Sequence, residues 1–261
     1  MVLYRHELKR SIVSMIIWSS VIAFMLFICV VMYPLMVASI EEMNKMLSEM
    51  EGFSEAFGTA ALDLGRFIDY FAVECGDSLG LGGALFAAIT AINMLAKEEK
   101  DGTAEFLLTH PISRKRVITE KLVALSTQIV IFNLAAIVVS VLSILLIGES
   151  LDYGRLMLMF LGYFILQIEI AAVAFGLSAF IKKGGVGIGL GLALMCYFMN
   201  IVANITEDAE FLKYITPFGY ADGASIASSG SIEWKYLLCG IAFAVLGILM
   251  AYRKYMKKDI K

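Results

Sequence analysis

Residues 97–121 read KEEKDGTAEFLLTHPISRKRVITEK, a charged stretch that lies between two long apolar runs. Asp101 and Gly102 predict a turn, and Thr103 is a suitable N-cap for a short helix that ends before Pro111. Ser113 can cap the helix that follows. The short helix combines an apolar tip with charged flanks, which suits docking into a groove of a soluble protein. A plain charged connector would not need that much apolar surface in water.

The rest of the chain is dominated by apolar runs. The sequence of 261 residues is 60% hydrophobic, and its mean hydropathy is +0.82, whereas soluble domains are nearer half apolar. These runs lack the alternation of barrel strands and approach the roughly 20 residues that a helix needs to cross the hydrocarbon. The first run is also too long for the apolar core of a signal peptide. The six runs are Met15–Val37, Leu79–Ala96, Leu122–Ile147, Leu156–Ile181, Val186–Ile205 and Tyr236–Tyr252.

The distribution of basic residues predicts the orientation of the chain. If the N-terminus is placed inside, the inside segments carry 16 of the 21 Lys and Arg residues. Acidic residues concentrate instead in the first outside segment, residues 41–78. By the positive-inside rule both termini are cytoplasmic, and a plasma-membrane location is expected.

We therefore predict an all-α integral membrane protein with six transmembrane helices, a cytoplasmic N-terminal interfacial helix, a short cytoplasmic helix in the loop 97–121 and an outside re-entrant segment. It forms a single transmembrane domain over residues 1–261. The predicted segments are an interfacial helix 1–11, span 1 at 12–40, an outside segment 41–78, span 2 at 79–96, the loop 97–121, span 3 at 122–147, span 4 at 156–181, span 5 at 186–205, an outside re-entrant segment 206–235 and span 6 at 236–252.

The two larger outside segments have different patterns. Residues 41–78 carry Met and Phe at helical spacing among acids, which predicts an amphipathic helix broken near Gly52 or Gly58. Such a helix would cap the spans, or present an apolar surface to a substrate or to a second membrane protein. Residues 206–235 are too apolar for a solvated loop and too broken to span, which favours a re-entrant or interfacial element.

Four glycines at the start of span 5 predict close helix packing. Gly185 and Gly189 are four residues apart, as are Gly187 and Gly191, so a neighbouring backbone can approach that helix. A phosphate-binding loop is excluded because no Gly-x-x-x-x-Gly-Lys-Ser/Thr pattern occurs.

Glu169 is the acidic residue within the apolar runs. A charge there costs roughly 2.5–3.5 kcal/mol on insertion scales. Asn133 and Gln128 in span 3 lie at a comparable depth and could donate hydrogen bonds to it. Glu169 is either a protonated clamp between spans 3 and 4, which we favour, or a site for a cation, a polar substrate group or a proton relay.

Catalytic and metal chemistry have no support in the sequence. The two histidines, His6 and His110, lie outside the spans, and no nucleophile–base–acid set appears. The four cysteines show no paired spacing, so neither a disulfide framework nor a metal site is expected. The basic C-terminus is expected to contact anionic lipid and not nucleic acid. We predict that the chain is not an enzyme and binds no cofactor.

The loop resembles the coupling-helix region of type-2 ATP-binding-cassette (ABC) permeases, small bacterial six-span proteins that pair with a separate ATPase. The residues that carry the resemblance are Glu98, Glu99, Gly102, Thr103, Glu105, Leu107, Leu108, Pro111, Ile112, Ser113 and Arg114, followed by Lys121 at the mouth of a span. A weaker match is Thr216, Pro217, Phe218 and Tyr220 before the last span.

The resemblance implies that residues 1–261 form a single permease domain and that the short helix of the loop is its cytoplasmic coupling helix. It also implies the roles of the other parts. The loop residues would sit in a cleft of the ATPase, two copies of which would hold the ATP and Mg²⁺. Thr216–Ala221 would close the outer end of the pathway, and a second permease subunit, identical or related, would complete it. The implied function is ATP-driven export. The alternatives are a stand-alone secondary transporter or channel that uses Glu169, and a membrane immunity or scaffold protein that binds partners through residues 41–78.

Overall fold

Long helices make up most of the structure, a computed structural model that describes residues 2–39, 45, 56, 62–97, 101–102, 112–150, 152–181 and 185–257. No strand occurs within these ranges. In chain order the α-helices are α1 (Val2–Met36), α2 (Phe67–Cys75), α3 (Gly82–Ile92), α4 (Arg114–Ile147), α5 (Tyr153–Ser178), α6 (Val186–Ile205), α7 (Gly223–Ser229) and α8 (Trp234–Met256). A π-helical turn, Gly76–Leu81, joins α2 to α3, and short 3₁₀ helices occupy Val37–Ser39, Glu207–Tyr214 and Pro217–Gly219.

Six helical segments of the described chain are long and apolar enough to cross a membrane. They are α1, the composite Phe67–Ile92, α4, α5, α6 and α8. Helices satisfy their own backbone hydrogen bonds, which hydrocarbon cannot do for them. The prediction of an all-helical protein with six candidate spans is confirmed.

The first helix differs from the predicted segmentation. The structure has one continuous helix of 35 residues in place of an interfacial helix over 1–11 followed by a separate span. Neither Gly nor Pro interrupts the chain before Pro34, so nothing in the sequence forces a break between the polar and apolar parts. At 1.5 Å per residue the helix is about 52 Å long, more than the roughly 30 Å of the hydrocarbon core.

The second candidate span begins earlier than predicted, at Phe67 and not at Leu79. Hydropathy placed the boundary too late because three acids, Asp69, Glu74 and Asp77, precede Leu79. Asp69 accepts a hydrogen bond from the Asp63 amide at 3.2 Å, and Glu74 accepts one from the Cys29 thiol at 3.2 Å. Carboxylates with such partners can lie within a packed helix, although a hydropathy scale counts them as polar.

Only some of the predicted glycine contacts occur. A Cβ atom at Gly189 would lie 3.0 Å from the Ala88 carbonyl oxygen, and one at Gly185 would lie 2.9 Å from Ile92 Cγ1, so this face of α6 packs on α3. At Gly187 and Gly191 a Cβ atom would meet nothing within 4 Å in the described part of the chain. The two glycine pairs therefore lie on different faces, and one of these faces is open.

A closer backbone contact joins α5 to α8. A Cβ atom at Gly176 would lie 2.5 Å from the Gly247 carbonyl oxygen, and one at Gly247 would lie 2.5 Å from the Ala172 carbonyl oxygen. Both distances are shorter than real Cβ contacts, so only glycine allows this crossing.

We expect Gly247→Ala to destabilise the protein, because the added methyl group must push α8 away from α5. Overpacking of this kind costs about 1–3 kcal/mol, which should appear as a lower melting temperature and a smaller monodisperse fraction in detergent. Gly154→Ala is the matched control, since a Cβ atom there has only an ordinary contact, 3.5 Å from Asp152 Oδ1. Equal melting temperatures for the two variants would contradict the tight crossing.

Candidate functional site

The predicted coupling loop is only partly described. Glu98, Glu99, Thr103, Glu105, Leu107, Leu108 and Pro111 lie outside the described residues. Gly102 adopts φ +67°, a left-handed conformation that suits glycine, in the predicted turn. The Ser113 hydroxyl accepts a hydrogen bond from the Arg116 amide at 3.3 Å, which confirms Ser113 as the N-cap of α4. The Arg114 guanidinium donates to the Met256 carbonyl at 3.1 Å, at the C-terminus of α8.

A cluster of buried charges lies at the base of this loop. Glu7 of α1 is 1% exposed and Lys121 of α4 is fully buried. The Lys121 ammonium donates to Glu7 Oε1 at 3.0 Å and to the Met94 carbonyl at 2.6 Å. Lys97 forms an ion pair with the other oxygen of Glu7. One carboxylate of α1 therefore joins the residues that begin and end the 97–121 segment.

Two further contacts tie the start of α1 to the same region. Arg10 forms an ion pair with Asp101, which lies inside the loop. Glu120 of α4 accepts a hydrogen bond from the Tyr4 amide at 3.1 Å, in the first turn of α1, where an anion is favoured by the helix dipole. Arg116 pairs with Glu120 at 2.8 Å. The N-terminal part of α1 is thus fixed to the base of the loop and to α4.

Glu169 has a different partner from the one predicted. It is 4% exposed, and its Oε2 accepts a hydrogen bond of 2.7 Å from the Tyr220 hydroxyl. Gly240 of α8 lies against the same carboxylate, where a Cβ atom would collide with Oε2. Glu169 therefore joins α5, α8 and the chain that precedes α7.

Asn133 and Gln128 make their hydrogen bonds elsewhere. The Asn133 amide donates to Gln167 Oε1 at 2.6 Å, and the Gln128 amide donates to the Ala124 carbonyl of its own helix at 3.2 Å. The prediction that they pair with Glu169 was wrong. Asn133 meets the face of α5 that carries Gln167, and Glu169 lies two residues further along that helix. Two residues turn an α-helix by about 200°, which places their side chains on opposite faces.

Gln167 is a site residue that sequence reasoning missed. It is fully buried, and besides its bond to Asn133 it donates to the Leu79 carbonyl of the π-turn at 3.2 Å. A Cβ atom at Gly83 would collide with its amide, so a glycine makes room for this side chain. Its signal in the sequence is an amide inside the apolar run of span 4, the same kind of signal that Asn133 and Gln128 give in span 3.

The four residues predicted as an outer gate are close together in the structure. The Thr216 hydroxyl donates to the Cys196 carbonyl at 2.7 Å, near the middle of α6. Pro217 begins a 3₁₀ turn, the Phe218 ring packs edge-on against Tyr197 with 5.4 Å between centroids, and Tyr220 reaches Glu169. All four side chains are at least partly enclosed between α5 and α6, and Thr216, Phe218 and Tyr220 are 2–5% exposed.

Within the described ranges no group of three or more His, Cys, Asp or Glu side chains is placed to hold a metal ion. All four cysteines are described, and each is free.

Comparison with known proteins is consistent with this architecture. Residues 1–260 match the family model described as "ABC-2 family transporter protein". The "Uncharacterized protein YhcI" of Bacillus subtilis (strain 168) is 22% identical over 205 residues, which cover 67% of this chain and 64% of that protein. The chain thus aligns with somewhat less than two thirds of that relative's length. Because the family model covers nearly the whole sequence, the chain is a member of the ABC-2 family of transporter proteins and a multi-pass membrane component of that type.

Proposed function

We propose that this protein is the permease subunit of an ATP-driven exporter. A separate ATPase would bind the cytoplasmic loop 97–121 and carry the ATP and Mg²⁺. This chain would form the substrate pathway in the plasma membrane with both termini cytoplasmic. Membership of the ABC-2 family supports the permease role, and the predominance of Lys and Arg in the inside segments supports the orientation.

The observation that carries this proposal is the buried ion cluster of Glu7, Lys97 and Lys121. Removing one member of a buried ion pair leaves an uncompensated charge, at a cost of about 3–5 kcal/mol. The cluster therefore holds the base of the loop to α1 and α4, and a displacement of the loop by an ATPase would act on both helices. An ordinary surface connector would not need this attachment.

At the opposite end of the bundle, we propose that Thr216–Tyr220 forms a re-entrant gate. The Thr216 hydroxyl donates to a carbonyl near the middle of α6, and the Tyr220 hydroxyl donates to Glu169 on α5. Both hydrogen bonds support entry of this segment between the helices. A second permease subunit would face it across the pathway. The open face of α6 at Gly187 and Gly191 permits such an approach.

The coupling assignment predicts that Glu105→Lys combined with Leu108→Asp abolishes ATPase binding, because it reverses a charge and removes the apolar tip of the loop. The measurement is affinity purification from native membranes in mild detergent, with co-purifying proteins identified by mass spectrometry. An ABC ATPase should accompany the wild type and be absent from the variant. Recovery of equal ATPase with both proteins would contradict the docking site.

The ion cluster predicts that Glu7→Gln lowers both stability and coupling, because Lys121 and Lys97 lose the carboxylate between them. We expect a lower melting temperature and a weaker stimulation of the bound ATPase. Glu233→Gln is the control for the same chemical change. Glu233 immediately precedes the first residue of α8, whereas Arg114, near the loop, contacts Met256 at the other end of that helix. Unchanged stimulation in Glu7→Gln would exclude a role of the cluster in coupling.

The structural interpretation of Glu169 predicts that Glu169→Gln retains assembly and transport, because the amide oxygen still accepts the Tyr220 hydrogen bond. Tyr220→Phe leaves the carboxyl group without this donor and should destabilise the protein by about 1–3 kcal/mol. Melting temperatures and the amount of ATPase-bound complex measure the effect. A correctly assembled but transport-dead Gln variant would favour the second candidate, a role for Glu169 in ion or proton coupling.

A further inference from the structure

A small cavity with a mixed polar and apolar lining lies between the π-turn, α5, α6 and the chain that leads into α7. Its volume is about 60 Å³, enough for an ion with a few water molecules and far below the roughly 300–1,000 Å³ of a site for a drug-sized ligand. The polar side chains that line it are Asp77, Tyr163, Tyr197, Asn200, Asn204 and Asp222.

One of these side chains has a buried polar atom without a partner. Asn200 is 9% exposed, and its Oδ1 has no hydrogen-bond partner in the described part of the chain. Folded proteins rarely leave such a group unsatisfied, and each instance calls for a physical explanation. A ligand in the cavity would satisfy it.

The two carboxylates are each held by one neighbour. Asp77 Oδ1 accepts a hydrogen bond from the Tyr197 hydroxyl at 3.1 Å. Asp222 Oδ2 caps α7 by accepting from the Ser225 amide at 3.0 Å and from its hydroxyl at 2.6 Å. These contacts fix the orientation of both carboxylates at the cavity.

The charge in the cavity is negative and poorly compensated. The described lining contains neither Lys nor Arg. Asp77 is exposed although it belongs to a candidate span. A bound cation would neutralise part of the negative charge.

We propose that this cavity binds a divalent, oxygen-liganded metal cation, with Asp77, Asp222 and Asn200 Oδ1 as its protein ligands. Two carboxylate charges match a divalent ion, and the mixture of carboxylate, amide and hydroxyl oxygens around an irregular cavity suits Ca²⁺ better than Mg²⁺, which requires near-octahedral geometry. Nitrogen and sulfur donors, which transition metals prefer, are absent from the described lining.

The site would join three separate parts of the chain. Asp77 lies in the π-turn, Asn200 in α6 and Asp222 immediately before α7. A cation held between them would connect the chain next to the proposed gate to α6 and to the π-turn. The binding itself does not depend on the proposed transport function, so it can be measured on the permease alone.

The test is a thermal-melting titration of the purified full-length protein in detergent after treatment with a chelator. CaCl₂, MgCl₂ and NaCl are compared at constant ionic strength, balanced with choline chloride. We expect a saturable rise in melting temperature with Ca²⁺, with a midpoint of about 0.1–1 mM, as in extracellular calcium modules. A rise with Na⁺ alone, or with none of these salts, would overturn the proposal.

Matched variants locate the site. Asp222→Asn should weaken Ca²⁺ binding at least tenfold, and the new amide can still cap α7. Asp152→Asn is its control, because Asp152 caps α5 in the same way, by accepting from the Arg155 amide, but does not line the cavity. Asp77→Asn provides a second test if Asp222→Asn does not fold. Wild-type Ca²⁺ affinity in the folded cavity variants would refute the assignment.

Discussion

Polar side chains buried in this helix bundle must find hydrogen-bond partners inside it, because the hydrocarbon around a membrane protein provides none. This constraint explains features that hydropathy alone does not. Gln167 is buried where an amide of α4 and a carbonyl of the π-turn both reach it. The acids of α2 are accommodated because Asp63 and Cys29 donate to them. The beginning of the second span therefore depends on hydrogen bonding as much as on apolar character.

Helix α5 shows how the constraint organises the interior. One face carries Gln167 toward α4 and the π-turn, and the opposite face carries Glu169 toward Tyr220 and α8. Further along the helix, Gly176 lets the backbone of α8 approach closely. Gln167 lies on one face of α5, whereas Glu169 and Gly176, seven residues apart, share the opposite face, so α5 is fixed against several neighbours at once. This agrees with the burial of more than half of the residues of α5.

The two ends of the bundle use charge differently. Near the chain termini, Glu7 is paired with lysines, so the carboxylate and the ammonium groups neutralise each other in a buried site. In the cavity near α7, two carboxylates meet amide and hydroxyl oxygens without a lysine or arginine in the described lining. The first arrangement is complete within the protein, which suits a mechanical attachment. The second lacks a positive partner, which is why a cation is proposed there and not at Glu7.

The sequence by itself determined the class of the protein, the number of candidate spans and the position of the charged loop. These features follow from the composition and from the local sequence pattern, as does the capping of α4 by Ser113. Tertiary structure decided the partners. The face on which Gln167 or Glu169 lies follows from helical geometry, but which neighbour meets that face depends on packing. The crossing of Gly176 with Gly247 was likewise settled by packing. The same holds for the meeting of Asp77, Asn200 and Asp222, since these residues are far apart in sequence and only the folded bundle brings them to one cavity.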